Sequence, residues 1–148
     1  MDLGKGDSEE HAMLLCNFFN YIDRENGRQE KSASAAGTPW NQKQNVHSYI
    51  IYGEAVPDGF CWFVCRTCKL TEFIEIWNPM NGEVYNFDRV KSKGKGGRDQ
   101  GLNQYFADAI CPMKKVWCVV GQENVWANIQ ERESPPEIIF DFDNKKHW

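Results

Sequence analysis

The hydrophobic positions of the chain follow two different rhythms, and the change falls near residue 47. Before it, Ala12, Leu15, Cys16, Phe19 and Ile22 recur at helical spacing. Leu14, Phe18 and Tyr21 widen that face until Glu10, Asn17 and Asn20 keep one side wet. Asp7 with Glu10 three residues on, ahead of an apolar run, is a capping pattern for a helix start. The spacing therefore predicts a helix over 8–23, with Ser8 also suited to the capping role. A helix apolar around most of its circumference is normally covered on several sides. That predicts a buried, central helix with the rest of the chain wrapped around residues 13–22.

After residue 47 the period becomes two, or the apolar run continuous, and β-branched and aromatic residues dominate. Residues 48–54, 60–66, 71–78, 83–87, 116–121, 125–130 and 137–141 read as strands. Pro57-Asp58-Gly59 and Asn78-Pro79-Met80-Asn81-Gly82 read as turns, the first with Gly placed for a positive φ. Consecutive strands on such short connections must be antiparallel. One buried helix on a mainly antiparallel sheet is an α+β architecture. Two polar stretches interrupt it, 24–47 and 91–101, which offer little to bury and predict disordered insertions. In the first, Trp40 is the one residue suited to docking. The second, Lys-Ser-Lys-Gly-Lys-Gly-Gly-Arg-Asp-Gln-Gly, is basic and glycine-rich but lacks the spacing of a phosphate loop followed by a helix.

Composition narrows the classes. A chain of 148 residues fits one domain, and 14% aromatic content with six Trp argues for a packed core against a disordered chain. A formal charge of −4 gives no footprint for nucleic acid or an anionic membrane. The start of the chain has no long signal-peptide core, and no apolar stretch reaches the length of a membrane span. The expectation is a soluble chain that is not secreted, with its six Cys reduced.

Those cysteines raise three chemistries. Cys61, Cys65 and Cys68 invite zinc, with Cys111 or His47 completing four ligands, but no second C-x-x-C exists and Cys61 and Cys65 fall on a strand rhythm. The redox reading of Cys65-x-x-Cys68 lacks the helix N-terminus it needs. A cysteine hydrolase or acyltransferase would use Cys16 or Cys61 with His11 or His47. Cys16 sits two turns inside the helix, away from its positive end, and His147 is next to the last residue, so no Cys–His pair is placed.

Gly6-Asp7-Ser8-Glu9-Glu10-His11-Ala12, followed by Leu14-Leu15-Cys16, resembles the nucleophile helix of the transglutaminase-like (papain-type) superfamily, Gly-x-Cys-x-x-x-Ala. Within that superfamily the chain is similar to the transglutaminase-like domain of the coiled-coil and C2 domain-containing proteins of the ciliary transition zone. It is also similar to peptidase-like domains of a centrosomal Cep protein and of a nexin–dynein regulatory complex subunit. Gly53 to Gly59, Ile76-Trp77-Asn78-Pro79, Met80 to Tyr85, Cys111 to Val116, Phe140-Asp141 and above all Asn124-Val125-Trp126-Ala127-Asn128-Ile129-Gln130 carry the likeness. The resemblance implies a papain/transglutaminase-like core, and it places Ser8, Phe60 and Asn78 where the nucleophilic Cys, the His and the orienting Asp would stand. All three have changed, and Phe60 cannot accept a proton. What it implies is an inactive domain without cofactor, metal or small-molecule substrate. Such a domain would bind protein partners at the cilium base (basal body and transition zone). It also implies that the chain is part of a longer one.

Overall fold

Asp7 Oδ1 accepts a hydrogen bond from the backbone N–H of Glu10 at 3.0 Å, which satisfies one of the donors a helix start leaves open. The cap is thus Asp7, and Ser8 is the first helical residue. In the computed structural model, which describes residues 6–32, 46–68, 73–89, 105–106 and 111–148, the helix α1 runs over Ser8–Ser32. It passes the expected end near Asp23 because Arg24, Glu25, Arg28, Gln29, Glu30 and Lys31 are good helix formers, enough to carry it over Gly27. The insertion expected over 24–47 therefore loses residues 24–32 to α1 and its last two to a strand. Residues 33–45, with Trp40, and the whole of 91–101 lie outside the described residues.

The strands are β1 (Val46–Ala55), β2 (Gly59–Cys68), β3 (Phe73–Trp77), β4 (Val84–Arg89), β5 (Tyr105–Phe106), β6 (Met113–Val120) and β7 (Val125–Ala127). Among the described residues they form one seven-stranded sheet in the order β5-β4-β3-β2-β1-β6-β7, and every pair is antiparallel. Gly59 and Gly82 take φ of 75° and 74° in the two expected turns, conformations that cost an L side chain. The fold class is α+β, as the rhythm predicts.

Two expectations fail. Residues 137–141 form no strand; turns and irregular chain follow Ser134. The alternation there is real, with Ile138 and Phe140 buried and Ile139 out, but the backbone of Ile139 finds a side chain instead of a strand. The Gln130 amide accepts from the Ile139 N–H at 2.9 Å and donates to its carbonyl at 3.2 Å. The second failure is the helix itself, which is not central. It packs Ala12, Cys16, Leu15 and Phe19 over Ile50 of β1, Trp62 and Val64 of β2 and Trp77 at the end of β3. Its outer side leaves Leu14, Phe18 and Tyr21 exposed, Leu14 at 72%. Counting apolar residues around a helix does not say how many layers exist to cover them.

The larger core lies on the opposite face of the sheet. Ile51, Cys61, Phe63, Cys65, Ile76, Tyr85, Val116 and Val119 pack there with Ile138 and Phe140 of the C-terminal segment. Aromatic rings close its end, Tyr49 meeting Phe142 at 4.7 Å and Phe142 meeting Trp148 at 5.0 Å.

On the helix side the tie is partly polar. Asn20 accepts from the Ser48 N–H at 3.2 Å and donates to the Ser48 carbonyl at 3.1 Å. These are β1 backbone groups beyond Ile50, where the pairing with β6 ends, so Asn20 satisfies an edge that would otherwise stay open. Arg66 bridges Asp23 at 3.1 Å and Glu75 at 3.2 Å, and its guanidinium lies 4.5 Å from the centre of the Phe19 ring.

Candidate functional site

The three positions singled out by resemblance hold different jobs. Ser8 opens α1. Asn78 is spent on its own turn: its N–H donates to the Glu83 carbonyl, its carbonyl accepts from Gly82, and its Oδ1 accepts from the Met80 N–H, each at 2.9 Å. Its neighbour Trp77 packs on Phe19, ring centres 4.9 Å apart, three turns along the helix from Ser8. Phe60 is 69% exposed at the start of β2 and meets Trp117 of β6 at 5.2 Å. Among the described residues no hydrogen bond or ring contact joins Ser8, Phe60 and Asn78.

The thiols are held away from reactivity. Burial pushes Cys16, Cys61 and Cys111 up to about 11, and raises Cys65 and Cys118 as well. A nucleophilic cysteine needs the opposite shift. No hydrogen bond joins His11 to Cys16 among the described residues; the His11 Nδ1 lies 2.8 Å from the Asp7 carbonyl. His47 is exposed beside Tyr49, ring centres 6.4 Å apart. The zinc set fails on strand geometry. Cys61 and Cys65 stand four residues apart on β2, about 13 Å along a strand, and Cys68 is a further three residues on. Such a row cannot close on one ion, and no group of three or more metal-ligating side chains exists among the described residues.

What the structure does gather is aromatic. On the helix side of the sheet Trp62 lies 4.4 Å from Tyr52, Tyr52 lies 5.6 Å from Trp117, and Trp117 lies 5.2 Å from Phe60. The four rings cross three adjacent strands, β2, β1 and β6, and run from Trp62, partly covered by α1, out to open Phe60. Alternation along β1 and β2 explains Tyr52, Trp62 and Phe60, because Tyr52 pairs with Trp62 and Glu54 with Phe60. Trp117 needs something more. The β1–β6 register shifts between Tyr52 and Gly53, which face Cys118 and Val116, so Trp117 is the extra residue of a β-bulge. Bulges re-aim side chains, and this one adds Trp117 to the ladder.

Gly53 makes room for that bulge. A Cβ there would meet the Lys115 carbonyl oxygen at 1.8 Å and its carbon at 2.8 Å, backbone atoms that cannot step aside cheaply. Asn128 then satisfies the bulged strand. Its N–H donates to the Trp117 carbonyl at 2.7 Å, and its side chain donates to the Val116 carbonyl at 2.9 Å. The stretch Asn124 to Gln130, the most telling piece of the sequence resemblance, is thus a bracket: Asn128 holds the bulge and Gln130 holds Ile139. The ladder escaped the sequence reading because Trp117 breaks the period of two. A Gly inside a strand of large residues was the available sign.

No helix among the described residues is long and apolar enough to cross a membrane. No solved structure matches the chain. The human Protein CC2D2B is 28% identical over 148 residues, all of this chain and 7% of that protein. Coiled-coil and C2 domain-containing protein 2A of Drosophila melanogaster is 23% identical over 103 residues, 70% of this chain and 6% of that protein. The chain thus spans less than a tenth of the length of these relatives. Residues 1–148 match the family model of the CEP76 peptidase-like domain, and the chain belongs to that family.

Proposed function

We propose that this peptidase-like domain is catalytically inactive and serves as a protein-binding module in assembly of the cilium base, the basal body and transition zone. The observation that carries the reading is Phe60. At the position where the resemblance puts the superfamily's base, this chain shows solvent an exposed phenyl ring tilted against Trp117. Ser8 without a base is a weak nucleophile, and Asn78 already spends its oxygens on a turn. Losing one triad member typically costs about 10⁴–10⁶ in rate, and all three are replaced. The raised thiols support the same conclusion, since none is poised to take over. The cellular setting rests on the likeness to the coiled-coil and C2 domain-containing proteins, and the partners proposed there are proteins, not nucleic acid or a small-molecule substrate.

The test is turnover by the purified chain on fluorogenic amides and in amine incorporation into a glutamine peptide, with iodoacetamide labelling across pH alongside. The expected result is no turnover above buffer and slow labelling of every buried thiol at neutral pH. Turnover abolished by Cys16→Ser or Cys61→Ser in a folded protein would overturn the reading. The triple change Ser8→Cys, Phe60→His, Asn78→Asp should restore at most weak activity, because nothing around these positions fixes an imidazole in place.

A further inference from the structure

We propose that the ladder Trp62–Tyr52–Trp117–Phe60 is a docking platform for a proline-rich segment of a partner protein, in the polyproline II conformation and carrying a basic residue beside its prolines. This rests on the protein-binding reading above and names the class of partner.

The polar atoms of the ladder make the choice. Tyr52 Oη, Trp62 Nε1 and Trp117 Nε1 have no hydrogen-bond partner among the described residues, and none of the three is fully sealed from solvent on its half-buried side chain. Elsewhere the chain uses such groups: Trp77 Nε1 donates to Glu75 at 3.2 Å, and Trp148 Nε1 donates to the Ile139 carbonyl at 2.8 Å. A ligand that covers the ladder must therefore bring acceptors, or it leaves desolvated donors behind. A docked helix brings no backbone acceptors, because its carbonyls are used internally. An added β-strand needs an open backbone edge. The part of β2 before Val64, where β3 no longer pairs with it, could offer one, but a strand there would lie beside the rings, whereas β1 at Tyr52 is paired on both sides. A polyproline II segment meets both demands. It has no internal hydrogen bonds, so its carbonyls point outward, and its flat rings pack on aromatic faces at little cost in chain entropy.

The rim sets the charge. Lys115 is already shared between Glu54 at 3.7 Å and Glu133 at 3.5 Å, so this rim lysine is not free for an acidic segment. Exposed Asp58 stands in the turn two residues before Phe60. The balance favours a partner with a cation next to its prolines.

The experiment uses the 148-residue chain and an octaproline peptide with one N-terminal arginine, followed by tryptophan fluorescence and isothermal titration. The expected result is saturable binding that a glycine–serine peptide of equal length and charge does not show. Phe60→Ala should weaken binding about tenfold or more, as loss of an aromatic anchor does. Trp117→Phe, which keeps a ring and removes the N–H, should weaken it about three- to tenfold. Unfolding curves confirm that both variants stay folded; if Trp117→Phe does not, Phe60→Ala alone carries the test because that side chain is exposed. No binding of the proline peptide overturns the proposal and leaves the inactivity of the domain standing on its own assay. Binding that survives Phe60→Ala, equal binding of an octaglutamate peptide, or a mass that doubles with concentration through this face, overturns it too.

Discussion

The two faces of the sheet are built from the same strands and have had opposite fates. On one, Ile51, Phe63, Cys65, Ile76 and Val119 are closed over by Ile138, Phe140 and the rings around Phe142. On the other, a single helix covers Ile50 and Val64 and leaves Tyr52, Trp117 and Phe60 at or near the surface. Alternation gave both faces large side chains, so hydrophobicity alone does not tell them apart. Polar satisfaction does. On the closed face Trp148 and the Gln130 amide spend their groups internally, whereas on the open face Trp77 donates to Glu75 beside the helix and Tyr52, Trp62 and Trp117 have no hydrogen-bond partner among the described residues. A surface with apolar area and idle donors is arranged for something outside the chain.

The hardest blow to both faces should come from the seam they share. Gly53→Ala drives a methyl into the Lys115 carbonyl and should destabilise the chain by about 3 kcal/mol or more, read in urea unfolding. A loss under about 1 kcal/mol would mean that β1 and β6 slide apart easily and the bulge is not fixed. On the closed face Ile51→Ala should cost about 2–5 kcal/mol through the cavity it leaves. Asn128→Ala, which strips the Val116 carbonyl of its side-chain donor, should cost about 1–3 kcal/mol. On the helix's outer side Leu14→Ala should stay within about 0.5 kcal/mol of the parent. If Leu14→Ala matched Ile51→Ala, the helix would be covered and the contrast between the faces would be lost.

A pH profile sharpens the same contrast more gently. Cys16, Cys61 and Cys111 titrate near 11 when folded against an ordinary 9.0. The unfolded chain therefore releases these protons first. Their contribution is complete below pH 9 and is lost as pH climbs through the window to about 11. Urea midpoints should be flat in this respect up to about pH 9 and then fall. Cys61→Ala together with Cys111→Ala should flatten the fall more than Cys16→Ala alone. A profile with no alkaline fall would mean that water reaches the closed face.

Much of this was legible in the chain. Asp7 and Glu10 announced the helix start, and the period of two located β1, β2, β3, β4, β6 and β7 to within a few residues at each end. Pro57-Asp58-Gly59 and Asn78 to Gly82 announced the turns. The misses share a physical cause, which is dependence on a distant partner. Residues 24–32 read as an insertion because polar helix formers have no face to reveal. Ile139 read as strand because alternation reports which side is buried, not whether a Gln130 amide or a neighbouring strand holds the backbone. Trp117 could not be placed because its direction depends on Gly53, far away in sequence, yielding space to Lys115. The candidate site was legible only by subtraction: Phe60 stood out as a residue that could not be a base, while its rings-and-donors neighbourhood came from the fold.

The pairing of Ile50 with Val120 has a further consequence, for the order in which the molecule can be completed. β1 meets β2 through a tight turn, yet its other edge waits for a strand about seventy residues downstream. During synthesis at roughly 5–20 residues per second, that edge stands open for some seconds. Contacts of such sequence separation are slow to form. Trp117 travels with the late strand, and Asn128 and Gln130 arrive after it. The ladder is therefore a late product of folding, and a ribosome-bound chain that stops short of β6 would already hold the hairpin of β1 and β2 and still lack the platform.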